Sequence, residues 1–121
     1  MEDLILDETK YTPKVVLKCD GNLSFEGRSY SENTFDFFEP ITKWLEEFIQ
    51  NNDTKITLDI DLIYFNSSSS KALYAVFNLL NEAKNEIQIN WIYDKENETA
   101  KEAGESFIED FKTLNINLIA R

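Results

Sequence analysis

Lys55 to Phe65 is the clearest strand in the chain, and from Ile56 to Leu62 it alternates strictly: Ile56, Leu58, Ile60 and Leu62 share one side, and Thr57, Asp59 and Asp61 share the other. Strict period-two alternation is the mark of a strand with one apolar face against a core and one polar face toward water. The segment after it changes period at once. From Ser68 to Lys84 the residues Leu73, Val76, Phe77, Leu80 and Ala83 fall on one helical stripe. Parallel strands covered on both faces are normally apolar throughout. Here Asp59 and Asp61, and later Gln88 and Asn90, interrupt that rule. One sheet face should therefore be wet. The expected fold is an α/β two-layer sandwich, with a mixed sheet of about five strands and helices mainly on one face, rather than a doubly wound sheet. The strand ending near Phe65 should be internal, because its apolar face is the longest.

The remaining elements follow from the same two periods. Lys14 to Cys19 alternates as a strand, Asp20-Gly21-Asn22 carries strong turn chemistry, and Leu23 to Gly27 resumes the alternation, so this region reads as a hairpin. Residues 32–50 have helical spacing, with Phe35, Phe38, Ile41, Trp44, Leu45, Phe48 and Ile49 on the apolar stripe. Pro40 lacks the donor that a helix interior requires, which predicts a kink or a restart. Glu86 to Tyr93 reads as a strand pointing Ile87, Ile89, Trp91 and Tyr93 inward. Residues 96–112 read as two helices interrupted at Gly104, and Ile116, Leu118 and Ala120 as a last short strand. With 121 residues and no repeat or low-complexity linker, residues 1–121 are expected to form a single domain.

Composition narrows the chemistry. A net charge of −11 repels phosphate backbones and anionic bilayers, so neither nucleic acid nor membrane is an expected partner. There is no histidine, which removes the commonest general base and metal ligand together. One cysteine cannot build a zinc site or an internal disulfide, which fits a reducing compartment. Cys19 is expected to be a buried, inert thiol. The acidic start Met1-Glu2-Asp3 lacks the apolar run of a secretion signal, and no segment approaches membrane-spanning length, so a cytoplasmic location is expected. No cofactor is expected: glycine-rich phosphate loops and nucleophile elbows are absent. Asp94, Glu96 and Glu98 invite a metal reading. A calcium loop counted from Asp94 needs glycine at its sixth place and has Thr99 there, so the acids are better suited to the start of the following helix. Asp59 and Asp61 admit two readings, paired carboxylates or a solvated strand face.

The junction Tyr64-Phe65-Asn66-Ser67-Ser68-Ser69-Ser70-Lys71 concentrates the functional interest. It places four consecutive hydroxyls where a strand hands over to a helix N-terminus, whose free N–H groups and dipole favour an anion. A phosphate on one of these serines could be held there and by Lys71. Lys71 itself opposes the dipole at a cost of about 0.3–1 kcal/mol, so an anion such as Asp61, a partner carboxylate or a phosphoserine would suit it. The alternative is that one serine caps the helix, the others are filler, and Lys71 extends into water.

The same junction, with Thr9-x-x-Thr12-Pro13, Gly27-x-Ser29-Tyr30, Phe37-Phe38-x-Pro40, Trp44-Leu45, Trp91-x-Tyr93-Asp94 and Gly104-Glu105-x-Phe107 in that order, resembles the SiaC family of small bacterial regulators over nearly the whole length. The resemblance implies a phosphorylation-switched partner protein, similar in logic and general shape to STAS-type anti-sigma-factor antagonists. It implies a dedicated serine/threonine kinase and a PPM-type phosphatase acting on the central turn. The unmodified form would engage an effector, for which a diguanylate cyclase is the family's associate. The family usually has threonine after the asparagine, so the phosphoacceptor maps to Ser67, with Ser68 as the fallback. Tyr64, Asn66, Ser68, Ser69 and Lys71 would form the surface met by kinase or effector. The chain departs from the family at Ser67 itself and at Ser31, where proline is frequent. Two other readings stand beside this one: a constitutive adaptor without covalent control, and a small catalyst using Asp59, Asp61 or the serines. The catalyst would need Lys71 as its base, since no histidine exists.

Overall fold

The computed structural model describes residues 1–121. Six strands form one sheet in the order in which they occur along the chain. They are β1 (Leu4–Leu6), β2 (Lys14–Leu17), β3 (Asn22–Ser29), β4 (Ile56–Phe65), β5 (Ile87–Tyr93) and β6 (Ile116–Ala120), with helices α1 (Thr34–Asn51), α2 (Ser67–Glu82) and α3 (Glu98–Asp110) between the last four. The first three strands pair antiparallel and β3 through β6 pair parallel, so the sheet is mixed and β4 is internal, between β3 and β5.

The strand order explains the layering. Each parallel crossover steps to the next position in the same direction, and such crossovers are almost always right-handed. Three like steps lay three helices on one face, with no reversal of direction to send a helix to the other. Core residues from both layers form one cluster: Leu58, Ile60 and Trp91 of the sheet meet Phe48 of α1, Phe77 of α2 and Phe107 of α3. The opposite face is open. On it Ser24, Asp59, Asn90 and Asn117 stand in register across four strands. Asn90 donates to Asp59 at 2.8 Å.

Several expectations are corrected. β1 was not anticipated; a strand of three residues is too short for alternation to register. α1 runs unbroken through Pro40 with no restart. Pro40 and Asp36, whose carbonyl loses its donor, are both exposed, so water can serve that oxygen. Phe35 is not core but 74% exposed. α3 is one helix through Gly104 rather than a pair. Glycine serves close packing there: a Cβ would lie 2.6 Å from both Trp91 Cδ1 and Leu118 Cδ2. Gly104→Ala should therefore lose stability. Crowding costs about 1–3 kcal/mol, and the better helix propensity of alanine returns at most about 1 kcal/mol. Urea titration followed by circular dichroism measures the difference, and an unchanged or higher midpoint would refute the packing role.

Candidate functional site

Asn66 ends β4 with extended backbone and caps α2, its Oδ1 accepting the Ser69 N–H at 2.9 Å. The Asn66 carbonyl takes the next donor, from Ser70, at 3.0 Å. The Asn66 N–H is anchored in turn on the Ser29 carbonyl at 3.0 Å. This pins the turn to the end of β3, the strand beside β4.

The four serines then separate into different environments. Ser67 is the first helical residue, exposed, and its hydroxyl makes no hydrogen bond. Ser68 is exposed too, but its hydroxyl lies 2.9 Å from Thr34 Oγ1 and 3.2 Å from Asn66 Oδ1. Thr34 Oγ1 donates to the Ser31 carbonyl at 2.8 Å, so Ser68 has one proton to share between two acceptors. Ser69 is fully buried, donating to the Ser29 carbonyl at 2.8 Å with Ser29 Oγ 2.7 Å away. Its assignment to the partner-facing surface is corrected: the side chain is enclosed and ties α2 to β3. Ser70 is half-buried.

The N–H groups of Ser67 and Ser68 have no intrahelical acceptor, and Asn66 satisfies only the next two. They form the anion-favouring end of α2 beside the free Ser67 hydroxyl. Lys71 is exposed one turn on and joins none of the three ion pairs, Lys43–Glu39, Lys55–Glu86 and Arg121–Asp61. Asp61 is thus not its partner. Arg121, sixty residues further along the chain, holds that carboxylate, whose hydrogen bond and charge raise the guanidinium pKa. Asp59 and Asp61 stand on the solvated face, each held by its own donor, Asn90 or Arg121.

Exposed aromatic side chains flank the turn. Tyr64 is 54% exposed and packs edge-to-face on Tyr30 at 5.6 Å. On the other flank Phe35 borders a groove of about 280 Å³ between α1 and α2, where Phe38, Ala72 and Ala75 alternate with Glu39, Thr42, Lys43 and Glu46. Sequence reasoning missed Ser29, Thr34 and Phe35 as members of this site. Ser29-Tyr30 stood among the quoted motifs, which was the available hint; nothing local connects Thr34 to Ser68.

Elsewhere, Asp94 Oδ1 accepts the Glu96 N–H at 2.9 Å, and Asn97 rather than an acid caps α3. No group of three or more His, Cys, Asp or Glu side chains is placed to hold a metal ion. Cys19 is half-buried rather than buried, and desolvation, followed by a hydrogen bond with Asp3, pushes its thiol pKa up. No helix is long and apolar enough to cross a membrane.

Comparison with known proteins converges on one group. Residues 6–121 match the family described as SiaC family regulatory phosphoprotein. An uncharacterised protein of Pseudomonas aeruginosa (strain UCBPP-PA14) is 36% identical over 114 residues, 91% of this chain and 90% of that protein. The crystal structure of apo-SiaC from Pseudomonas aeruginosa superposes with a TM-score of 0.93 at 33% identity, covering 99% of this chain and all of that one. A second crystal structure, diguanylate cyclase SiaD in complex with its activator SiaC from the same organism, gives the same score and identity over 98% of this chain and 100% of that chain.

Proposed function

Since the chain belongs to the SiaC family of regulatory phosphoproteins, we propose that it is a signalling switch whose Ser67 hydroxyl is reversibly phosphorylated to control binding of an effector. The observation that carries the assignment to Ser67 is the division of labour within the turn. Ser69 is buried and Ser68 is engaged with Thr34, whereas Ser67 is exposed, free and beside two unpartnered N–H groups. A kinase needs an accessible hydroxyl, and the helix end gives the resulting phosphate a place to rest. Ser68 is the fallback acceptor.

In this reading a serine/threonine kinase adds the phosphate and a PPM-type phosphatase removes it. The unmodified turn, flanked by Tyr64, Asn66, Lys71 and Phe35, meets the effector. A diguanylate cyclase is the effector we favour, since a SiaC structure at 33% identity is an activator in complex with one. The chain itself is not an enzyme in this scheme. It works in the cytoplasm, in keeping with a single unpaired cysteine. The sheet offers no reversal of strand order, where open α/β folds usually form a ligand crevice, and this favours a protein surface over a small-molecule site.

The test is the intact mass of the protein purified from its native cells, with and without phosphatase treatment, followed by fragmentation. A phosphatase-sensitive phosphate on Ser67 is expected. Phosphate confined to Ser68 would move the switch by one residue, and none under any growth condition would leave a constitutive adaptor.

A further inference from the structure

Next to the turn, but outside it, lies a cleft of about 450 Å³ lined by Tyr11, Tyr30, Ser31 and Glu32. We propose that this cleft receives an arginine side chain of the effector that docks at the Ser67 turn, so that it sets partner specificity while the turn sets the switch. The inference rests on the switch reading for the identity of the partner, and on its own geometry for the chemistry.

The walls are aromatic. Tyr11 and Tyr30 meet edge-to-face at 5.2 Å, and Tyr30 continues the contact to Tyr64 at 5.6 Å, two residues before Asn66. A row of tyrosines therefore links the cleft to the end of β4, which leads into the turn. The loop of the cleft is held in shape before any partner arrives. Thr9 Oγ1 accepts the N–H groups of Tyr11 and Thr12 at 3.2 and 3.0 Å, and Tyr30 N–H donates to the Tyr11 carbonyl at 2.9 Å.

The charge points to a cation. Glu32 is exposed and joins none of the three ion pairs, within a chain of net charge −11. Lys10 Nζ sits 5.6 Å from the centroid of Tyr11 and competes for that ring, so Tyr30 and Glu32 are the groups left to an incoming cation. A planar guanidinium fits what remains: it can stack on a tyrosine face and turn its fork to the Glu32 carboxylate. An ammonium is more strongly hydrated and has no flat face to lay on the ring.

The test is an NMR titration of the ¹³C-tyrosine-labelled protein with N-acetyl-arginine amide, using N-acetyl-citrulline amide as the uncharged probe of the same shape. Saturable shifts confined to Tyr11 and Tyr30 are expected with arginine and not with citrulline. Glu32→Gln, a surface change that leaves the fold intact, should weaken the arginine response by about threefold or more. No saturable shift, an equal response to citrulline, or indifference to Glu32→Gln would each overturn the cleft. The outcome is separable from that of the switch. A failed titration beside a phosphate-sensitive Ser67 removes only the cleft, whereas a positive titration beside an unswitched Ser67 overturns the assignment of the arginine to that effector.

Discussion

Ser67→Asp should bind the effector on the order of 100-fold more weakly than the unmodified protein, while Ser67→Ala binds at full strength and resists the kinase. Two consequences of a negative charge compete at this position. Locally it is welcome: the N–H groups of Ser67 and Ser68 are unpartnered, and Lys71 is an unpaired cation one turn away. These features favour an anion by about 0.3–1 kcal/mol at an exposed helix end, so the folded state should tolerate the change. At an interface the same charge must be stripped of water. Unless the partner supplies a matching cation, burying it costs about 2–5 kcal/mol, several times the local gain. The interface term wins. A phosphate carries about −1.5 to −2 charges at neutral pH, so true phosphorylation should exceed the aspartate effect. Calorimetric titration against the effector co-purified from native cells gives the affinities, and urea unfolding of both variants shows that the fold is intact. Equal affinity for the two variants would refute the switch. Ser68→Asp is the internal comparison. It breaks the contact with Thr34 Oγ1, so it should cost stability as well as binding.

The largest stability effect should come from Trp91→Ala. Trp91 is 1% exposed on the inner face of β5, with Phe65 at 5.8 Å and Phe107 at 5.4 Å between ring centroids. Its Nε1–H donates to the Ala100 carbonyl at 2.9 Å, and its ring occupies the space that the missing side chain of Gly104 leaves. Truncation opens a cavity that α3 cannot fill without moving as a unit. The cost should be about 3–5 kcal/mol for the side chain and about 1 kcal/mol more for the hydrogen bond. Against a total stability of about 5–15 kcal/mol, that takes a domain of ordinary stability to the edge of unfolding. Trp44 is a useful contrast. It stacks on Phe48 at 5.1 Å and donates to the Glu2 carbonyl, but it lies at the rim, 8% exposed, where water can refill the space. Trp44→Ala should cost distinctly less. Urea midpoints of the two variants decide this, and a Trp91→Ala loss below about 2 kcal/mol would show that α3 repacks after all.

What the amino-acid order determined by itself is whatever depends on neighbours a few residues apart. The alternation of Ile56, Leu58, Ile60 and Leu62 with Thr57, Asp59 and Asp61 fixes which face of β4 is buried, because successive side chains on a strand point to opposite faces. The change of period after Asn66 marks the start of α2 to within a residue, since a cap is a local hydrogen bond. The open sheet face was legible for the same reason. Only the tertiary structure decided the rest. β1 is a strand because β2 lies beside it, and three residues carry no period of their own. Phe35 and Gly104 depend on where α1 and α3 come to rest: helical spacing alone put Phe35 on the buried stripe, and a glycine alone suggested a break at Gly104. Asp61 meets Arg121 rather than Lys71 because β4 and β6 flank β5, a relation no sequence window spans. Above all, Ser67, Ser68 and Ser69 are chemically identical and adjacent. Ser29 and Thr34 on other elements enclose one and engage the next, and Ser67 is left exposed with neither within hydrogen-bond reach.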